Sequence, residues 1–186
     1  MAERVPQVKG VSIMQVRAWI DERFGPGSFL DMARSRDLDW PERVLPGEWY
    51  PARTFVHALR RAAERLDDTS LEQLTAELSA INAKKDLTTI HKAFLWVASP
   101  RMFLRATPVV WGNYADFATV VDPHNEPGHY RVTLAEIPED LLDWVAGAWL
   151  GFLPPALELA GGVNPQAKIL ARRPERGELD YEIRYE

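Results

Sequence analysis

Leu179-Asp180-Tyr181-Glu182-Ile183-Arg184-Tyr185-Glu186 alternates apolar and charged residues. Leu179, Tyr181, Ile183 and Tyr185 share one face, and Asp180, Glu182, Arg184 and Glu186 share the other. That period of two marks a half-buried antiparallel strand. Such a strand needs partners beside it and a layer over its apolar face. Working outward, Ala167 to Arg172 reads as a strand, and Pro174 to Gly177 turns it into the last one. Before it, Pro138 opens a long apolar helix that Gly161-Gly162 stops. Earlier still, Phe117, Thr119 and Val121 alternate, as do Tyr130, Val132 and Leu134. Asp122-Pro123-His124-Asn125-Glu126-Pro127-Gly128, a cluster of turn residues, lies between them. The spacing predicts a four-stranded antiparallel sheet with strands near 116–122, 129–135, 167–172 and 179–185. A chain whose last residues are in a strand is expected to hold the whole sheet.

The first part of the chain carries the helical period. Ile13, Val16, Ile20 and Phe24 form one stripe, ended by Gly25-Pro26-Gly27. Ser28 caps a short helix to Arg36. Residues 37–51 read as an ordered loop pinned by Trp40, Trp49 and Tyr50. Pro51 to Leu66 is helical, with Phe55, Leu59, Ala62, Ala63 and Leu66 inward. Ser70 and Gln73 form a capping box for a helix to about Asn82. Asp86 or Thr88 opens another helix through Ala98. Ser99 caps a short helix at Pro100, and Leu104 to Trp111 ends the helical part. The expected class is α+β in one domain, residues 1–186. A mainly helical part, 1–112, packs on the sheet part, 113–186, which carries the inserted helix 138–161.

Seven Trp and seven Phe supply the volume of a packed core and argue against disorder. The net charge of −5 argues against nucleic acid or an anionic membrane as partner, since phosphate binding needs a concentrated positive field. The absence of Cys excludes disulfides and thiolate chemistry. The first ten residues have no apolar signal core, so a cytoplasmic location is expected. The longest uncharged run, Trp144 to Leu157, falls short of the roughly 20 residues that span a bilayer.

Several segments carry a resemblance. Val8-Lys9-Gly10-Val11 precedes an amphipathic helix ending in Arg23-Phe24-Gly25. Trp49-Tyr50-Pro51 opens a helix ending in Ala62-Ala63-Glu64-Arg65-Leu66. Trp149-Leu150-Gly151, Leu157 to Gly162 and the strand Tyr181 to Tyr185 follow. In these segments the chain resembles the heme nitric-oxide/oxygen binding (H-NOX) and 4-vinyl reductase fold superfamily. It is also similar to a bacterial paralogous family of like length with Phe-Gly-Pro-Gly, Trp-Tyr-Pro and Ser-Pro-Arg segments, matched by Phe24–Gly27, Trp49–Pro51 and Ser99–Arg101. These are turns, caps and packing residues, so the resemblance speaks to fold.

Two departures bear on heme. The resemblance places a proximal His near the end of the helix before the sheet, where this chain has Trp111. Indole has no lone pair for iron. The Tyr-x-Ser-x-Arg motif that holds heme propionates is missing from the matching stretch, Arg131 to Asp140. No cofactor is therefore expected. His91 could reach from one helix earlier, but a lone helical His is more often a hydrogen-bonded structural residue.

Other constellations have plainer explanations. Asp122, His124, Glu126 and His129 could ligate a divalent metal, with His124 and His129 as the imidazoles. A polar hairpin turn accounts for the same residues. His57 lacks a visible orienting partner for base chemistry. Glu139-Asp140 suits the first turn of a helix. No phosphate loop or nucleophile elbow occurs, and no catalytic residue is assigned.

What remains is aromatic. Phe94, Trp96, Phe103, Trp111, Tyr114 and Phe117 cluster where the resemblance puts a ligand cavity. They either fill it or line a smaller apolar pocket. The leading expectation is a non-catalytic ligand-binding or protein-interaction module of bacterial signalling that has lost heme. The alternatives are a tetrapyrrole or hydrophobic small-molecule domain associated with an enzyme, and a structural assembly domain. A closed core would favour assembly, and an apolar cavity would favour ligand binding. Trp144 and Leu150 fall outside the core stripe of the long helix, which suggests a homodimer or protein partner.

Overall fold

A computed structural model describes residues 4–85, the helical backbone on to Thr89, and residues 99–186. The chain opens with β1 (Gln7–Lys9) and α1 (Gly10–Phe24), then α2 (Ser28–Arg34), β2 (Trp49–Pro51), α3 (Ala52–Ala63), α4 (Leu71–Thr89) and α5 (Pro100–Gly112). The second part runs β3 (Thr119–Glu126), β4 (His129–Ala135), α6 (Leu142–Leu159), β5 (Gln166–Arg173) and β6 (Glu178–Arg184). The last four strands form one antiparallel sheet in the order β3-β4-β6-β5, with α6 between its two hairpins. The α+β expectation and the sheet topology therefore hold.

Local signals explain the element ends. Ser70 and Gln73 exchange hydrogen bonds at the start of α4, Ser70 N to Gln73 Oε1 at 2.8 Å and Gln73 N to Ser70 Oγ at 3.1 Å. Ser99 Oγ accepts from Met102 N at 3.3 Å and caps α5. At the end of α6, Gly161 adopts φ 92°. Gly162 N there donates to Leu157 O at 2.8 Å and Gly161 N to Glu158 O at 3.0 Å. This pair of bonds satisfies carbonyls that the last helical turn leaves open.

Four expectations are corrected. The helix from Leu71 continues to Thr89, so Asp86 and Thr88 do not open a new one. Residues 83–89 hold no Gly or Pro to stop it. The remainder of the helix expected through Ala98 lies outside the described residues. Leu104 to Trp111 and the turn at Pro100 form one helix, which tolerates Pro108 inside it. Trp49–Pro51 is a strand paired with Gln7–Lys9, not loop. Three residues are too few to show a period of two. Finally, β3 begins at Thr119 and runs through most of the expected turn. A register shift between Val121 and His124 accommodates Pro123, which has no N–H for the ladder. Only Pro127-Gly128 turns, with Gly128 at φ 74°.

The sheet's inner face carries Tyr130, Val132, Leu134, Leu179, Tyr181 and Ile183, all buried. α6 lies over that face, and α4 packs along α6. Trp144 and Trp149 are 6% and 3% exposed within their own chain. The apolar surplus that pointed toward self-association is thus covered mainly from within. Leu150 stays half-buried, as does Phe152. Among the described residues no helix is long and apolar enough to cross a membrane.

On the outer face, the Glu182 carboxylate is 1% exposed beneath basic side chains. Lys168 Nζ lies at 2.8 Å, His129 Nε2 and Arg131 Nη2 at 3.0 Å, and Arg184 Nε at 3.3 Å. Lys168 first, then His129 and the two arginines, hold its pKa well below the ordinary carboxylate value of 4.5, against the opposing effect of burial. The folded carboxyl therefore stays ionised where the unfolded one takes up a proton. Its stabilisation is complete above about pH 4.5 and is lost as pH falls further. Glu182→Gln should lower the urea midpoint near neutrality. The gap to wild type should close below about pH 4.5. A gap independent of pH would rule out this role.

Candidate functional site

The last turn of α5 delivers Trp111 to the seam between the helices and the sheet part. Its Nε1 donates to Phe117 O at 2.6 Å. Ala118, the next residue, is buried at φ 66°, an uncommon backbone for a non-glycine residue. Trp111 meets Trp144 and Trp149 at ring-centre distances of 5.9 Å each. Phe117 lies 5.9 Å from Trp144, and Trp149 lies 5.7 Å from Tyr181. Trp144 and Trp149 are five positions apart on α6, and Trp111 touches both rings. Gly147 and Gly151 let α6 approach α4: a Cβ at either would fall 2.3 Å from Glu72 O or 1.9 Å from Ala76 O.

Between these rings and the helices is a cavity of about 90 Å³. α1 contributes Ser12 and Val16, α3 Leu59, α4 Leu78, Ser79 and Asn82, α5 Trp111, and the turn after α5 Tyr114. Trp144, Trp149 and Leu153 of α6 close it. Ser12, Ser79 and Asn82 are half-buried, whereas Leu59, Leu78, Trp149 and Leu153 are buried, so a polar rim leads to an apolar floor. The buried hydroxyls are occupied: Thr75 donates to Leu71 O and Thr107 to Leu104 O, each at 2.7 Å. No charged side chain, imidazole or thioether is among the described lining residues.

Of the aromatic candidates, Trp111 and Tyr114 line this cavity. Phe103 sits one layer behind, stacked on Phe152 at 6.3 Å, and Phe117 backs Trp144. Phe94 and Trp96 lie outside the described residues, as does His91. The walls from α1 and α4 were not legible beforehand. Their signal, Thr75, Leu78, Ser79 and Asn82 on one helical face, looks like an ordinary amphipathic border.

The other constellations disperse. His124 Nε2 pairs with Glu126 at 3.0 Å on an exposed hairpin, while His129 turns to Glu182. Among the described residues no three potential metal ligands come together. His57 Nε2 meets Ser35 Oγ at 2.9 Å. Partial burial, then Arg36, Arg61 and Arg60, hold the pKa of His57 below its ordinary value. It lies away from the cavity lining.

Solved H-NOX structures share this architecture. The Fe(II) unliganded H-NOX protein from K. algicida matches over 96% of this chain and 96% of its own, with a TM-score of 0.73 and 12% identity. An H-NOX protein from S. oneidensis in the Fe(II)NO ligation state matches with a TM-score of 0.71 and 10% identity, covering 96% of this chain and 99% of its own. The oxygen complex of an oxygen-binding H-NOX domain related to soluble guanylate cyclases gives 0.65 and 12%, over 95% and 92%. The fold is the H-NOX fold, as the turn and cap segments suggested. No family model matches the chain, and no curated protein matches it.

Proposed function

We propose that this protein is a heme-free, non-catalytic member of the sensor-like H-NOX architecture that binds a small apolar molecule. The observation that carries the reading is the aromatic-walled cavity at the seam of the two parts. Its volume of about 90 Å³ is below the void of about 150 Å³ that admits benzene, and far below the roughly 300 Å³ at which ligand pockets begin. A tetrapyrrole needs much more room than that. Trp111, at the position the resemblance gives to a proximal ligand, commits its N–H to Phe117 O and its faces to two other indoles. Arg131 lies over Glu182 on the outer sheet face and does not line the cavity. The described lining offers no acid or base to activate Ser12 or Ser79, which favours binding over catalysis. A response would pass along α5 to a protein partner or second copy. Met102 and Val109 stand 53% and 71% exposed on that helix.

Two titrations test this reading. Hemin should give no sharp Soret band. A sharp band abolished by His91→Ala would overturn the heme-free reading. Xenon, which enters small apolar voids, should shift indole resonances of the cavity tryptophans and saturate. Failure of xenon to bind would leave a closed core and favour the assembly role.

A further inference from the structure

We propose that Phe117 and Ala118 form a strained hinge, that the Trp111 indole latches it shut, and that moving this indole frees the first half of β3, Thr119 to Val121, from β4. This goes beyond the cavity reading above and does not depend on what enters the cavity.

The helical part is anchored up to Asp116. Lys9 N donates to Tyr114 O at 2.9 Å and Asp116 N to Gln7 O at 3.1 Å. Gln7 N donates to the Asp116 side chain at 2.7 Å. Residues 114–116 therefore run antiparallel beside β1, with Ala115 opposite Val8. Thr119 already pairs with Ala135 of β4. The chain thus passes from one part to the other within Phe117 and Ala118. Ala118 makes the passage at φ 66°, where its Cβ crowds the following carbonyl. Asn and Asp visit this region with help from their own side chains, and Ala has no such group. Strain of this kind persists only where the surroundings hold it.

The indole is what holds it. Trp111 Nε1 donates to Phe117 O at 2.6 Å. That carbonyl belongs to the peptide group that ends at the Ala118 nitrogen, so the bond fixes the plane from which the φ of Ala118 is set. Across the ladder Glu136 is also left-handed, at φ 60°, and its carboxylate accepts from Thr119 Oγ1 at 2.6 Å. β3 therefore enters the ladder, and β4 leaves it, at a left-handed residue that is not glycine. After Val121 the register shift interrupts the ladder until His124. Thr119 to Val121 is a short length of edge strand, paired on one side only, with a strained residue at one end and a bulge at the other. Trp111 is also a wall of the cavity, so a displacement of its ring there is what would release the strand.

The test is hydrogen exchange, residue by residue, across a range of denaturant concentrations in the native protein. The ladder amides between Thr119–Val121 and Thr133–Ala135 should open in a local event, with a lower opening free energy and a weaker denaturant dependence than the ladder between β4 and β6. Exchange there only through global unfolding would overturn the proposal. Trp111→Phe keeps an aromatic ring and removes the donor. It should speed exchange of those amides about fivefold, the worth of one ordinary hydrogen bond, and leave the ladder between β5 and β6 within about twofold. The Ala118 backbone coupling and Cα and Cβ shifts should leave their left-handed values. Unchanged exchange, a uniform acceleration across the sheet, or an Ala118 that stays left-handed would each overturn the latch. If Trp111→Phe does not fold, the denaturant dependence in the native protein decides. The cavity reading survives any of these failures, because the xenon titration tests it separately.

Discussion

Gly151→Ala should destabilise the protein by about 3 kcal/mol or prevent folding, at the upper end of what overpacking usually costs. The added methyl would sit 1.9 Å from Ala76 O and 2.7 Å from Ala76 C, both backbone atoms that no rotamer change can move. Relief requires α6 to separate from α4. Those two helices share the most extensive packing of any pair among the described elements. They also carry opposite walls of the cavity, Leu78 and Ser79 on one and Trp149 and Leu153 on the other. Any variant that folds should therefore show altered indole resonances for Trp144 and Trp149 as well as a lower urea midpoint. Gly112→Ala is the control, because nothing lies within 4 Å of the added atom. Its midpoint should stay within about 0.5 kcal/mol of wild type. Equal, small effects at both positions would mean that the close approach of α4 and α6 is not rigid.

Trp111→Ala should cost about 3 kcal/mol, the lower end for truncating a large aromatic. The ring is half-buried, so it does not lose a full core burial. It does lose its contacts with Trp144, Trp149 and Phe117, together with the hydrogen bond to Phe117 O. That bond braces the left-handed Ala118 that begins the approach to β3. Chemical denaturation measures the loss, and a change under about 1 kcal/mol would place Trp111 outside the packed seam. The same truncation enlarges the cavity. Benzene, which occupies voids of about 150 Å³, should then raise the melting temperature of the variant more than that of wild type, by linkage. An equal response would indicate that the vacated space collapses.

The sheet was legible because its strands have one buried and one exposed face. Tyr181 and Ile183 inward and Glu182 and Arg184 outward leave little freedom of register. The caps at Ser70, Ser99 and Gly161-Gly162 were equally legible, since each acts through atoms within a few residues of itself. The misjudged boundaries lie where local chemistry is ambiguous. Pro123 suggested a turn, but a bulge absorbs it, and Trp49–Pro51 pairs with a strand more than 40 residues earlier in the sequence.

The candidate site was half legible. Trp111 and Tyr114 could be named because they follow the helix that leads to the sheet. The other walls could not, because Ser12, Ser79 and Trp149 belong to three helices whose relation is set by tertiary contacts. Sequence by itself determined periodicity, caps, strand faces and the missing thiols, since these depend on neighbours along the chain. Tertiary structure alone decided that Gly147 and Gly151 bring α6 against α4, that Glu182 is buried under four basic side chains, and that Trp111 meets the indoles of Trp144 and Trp149. Those facts depend on atoms brought together across the fold, where distance and desolvation, not chain position, set the interaction.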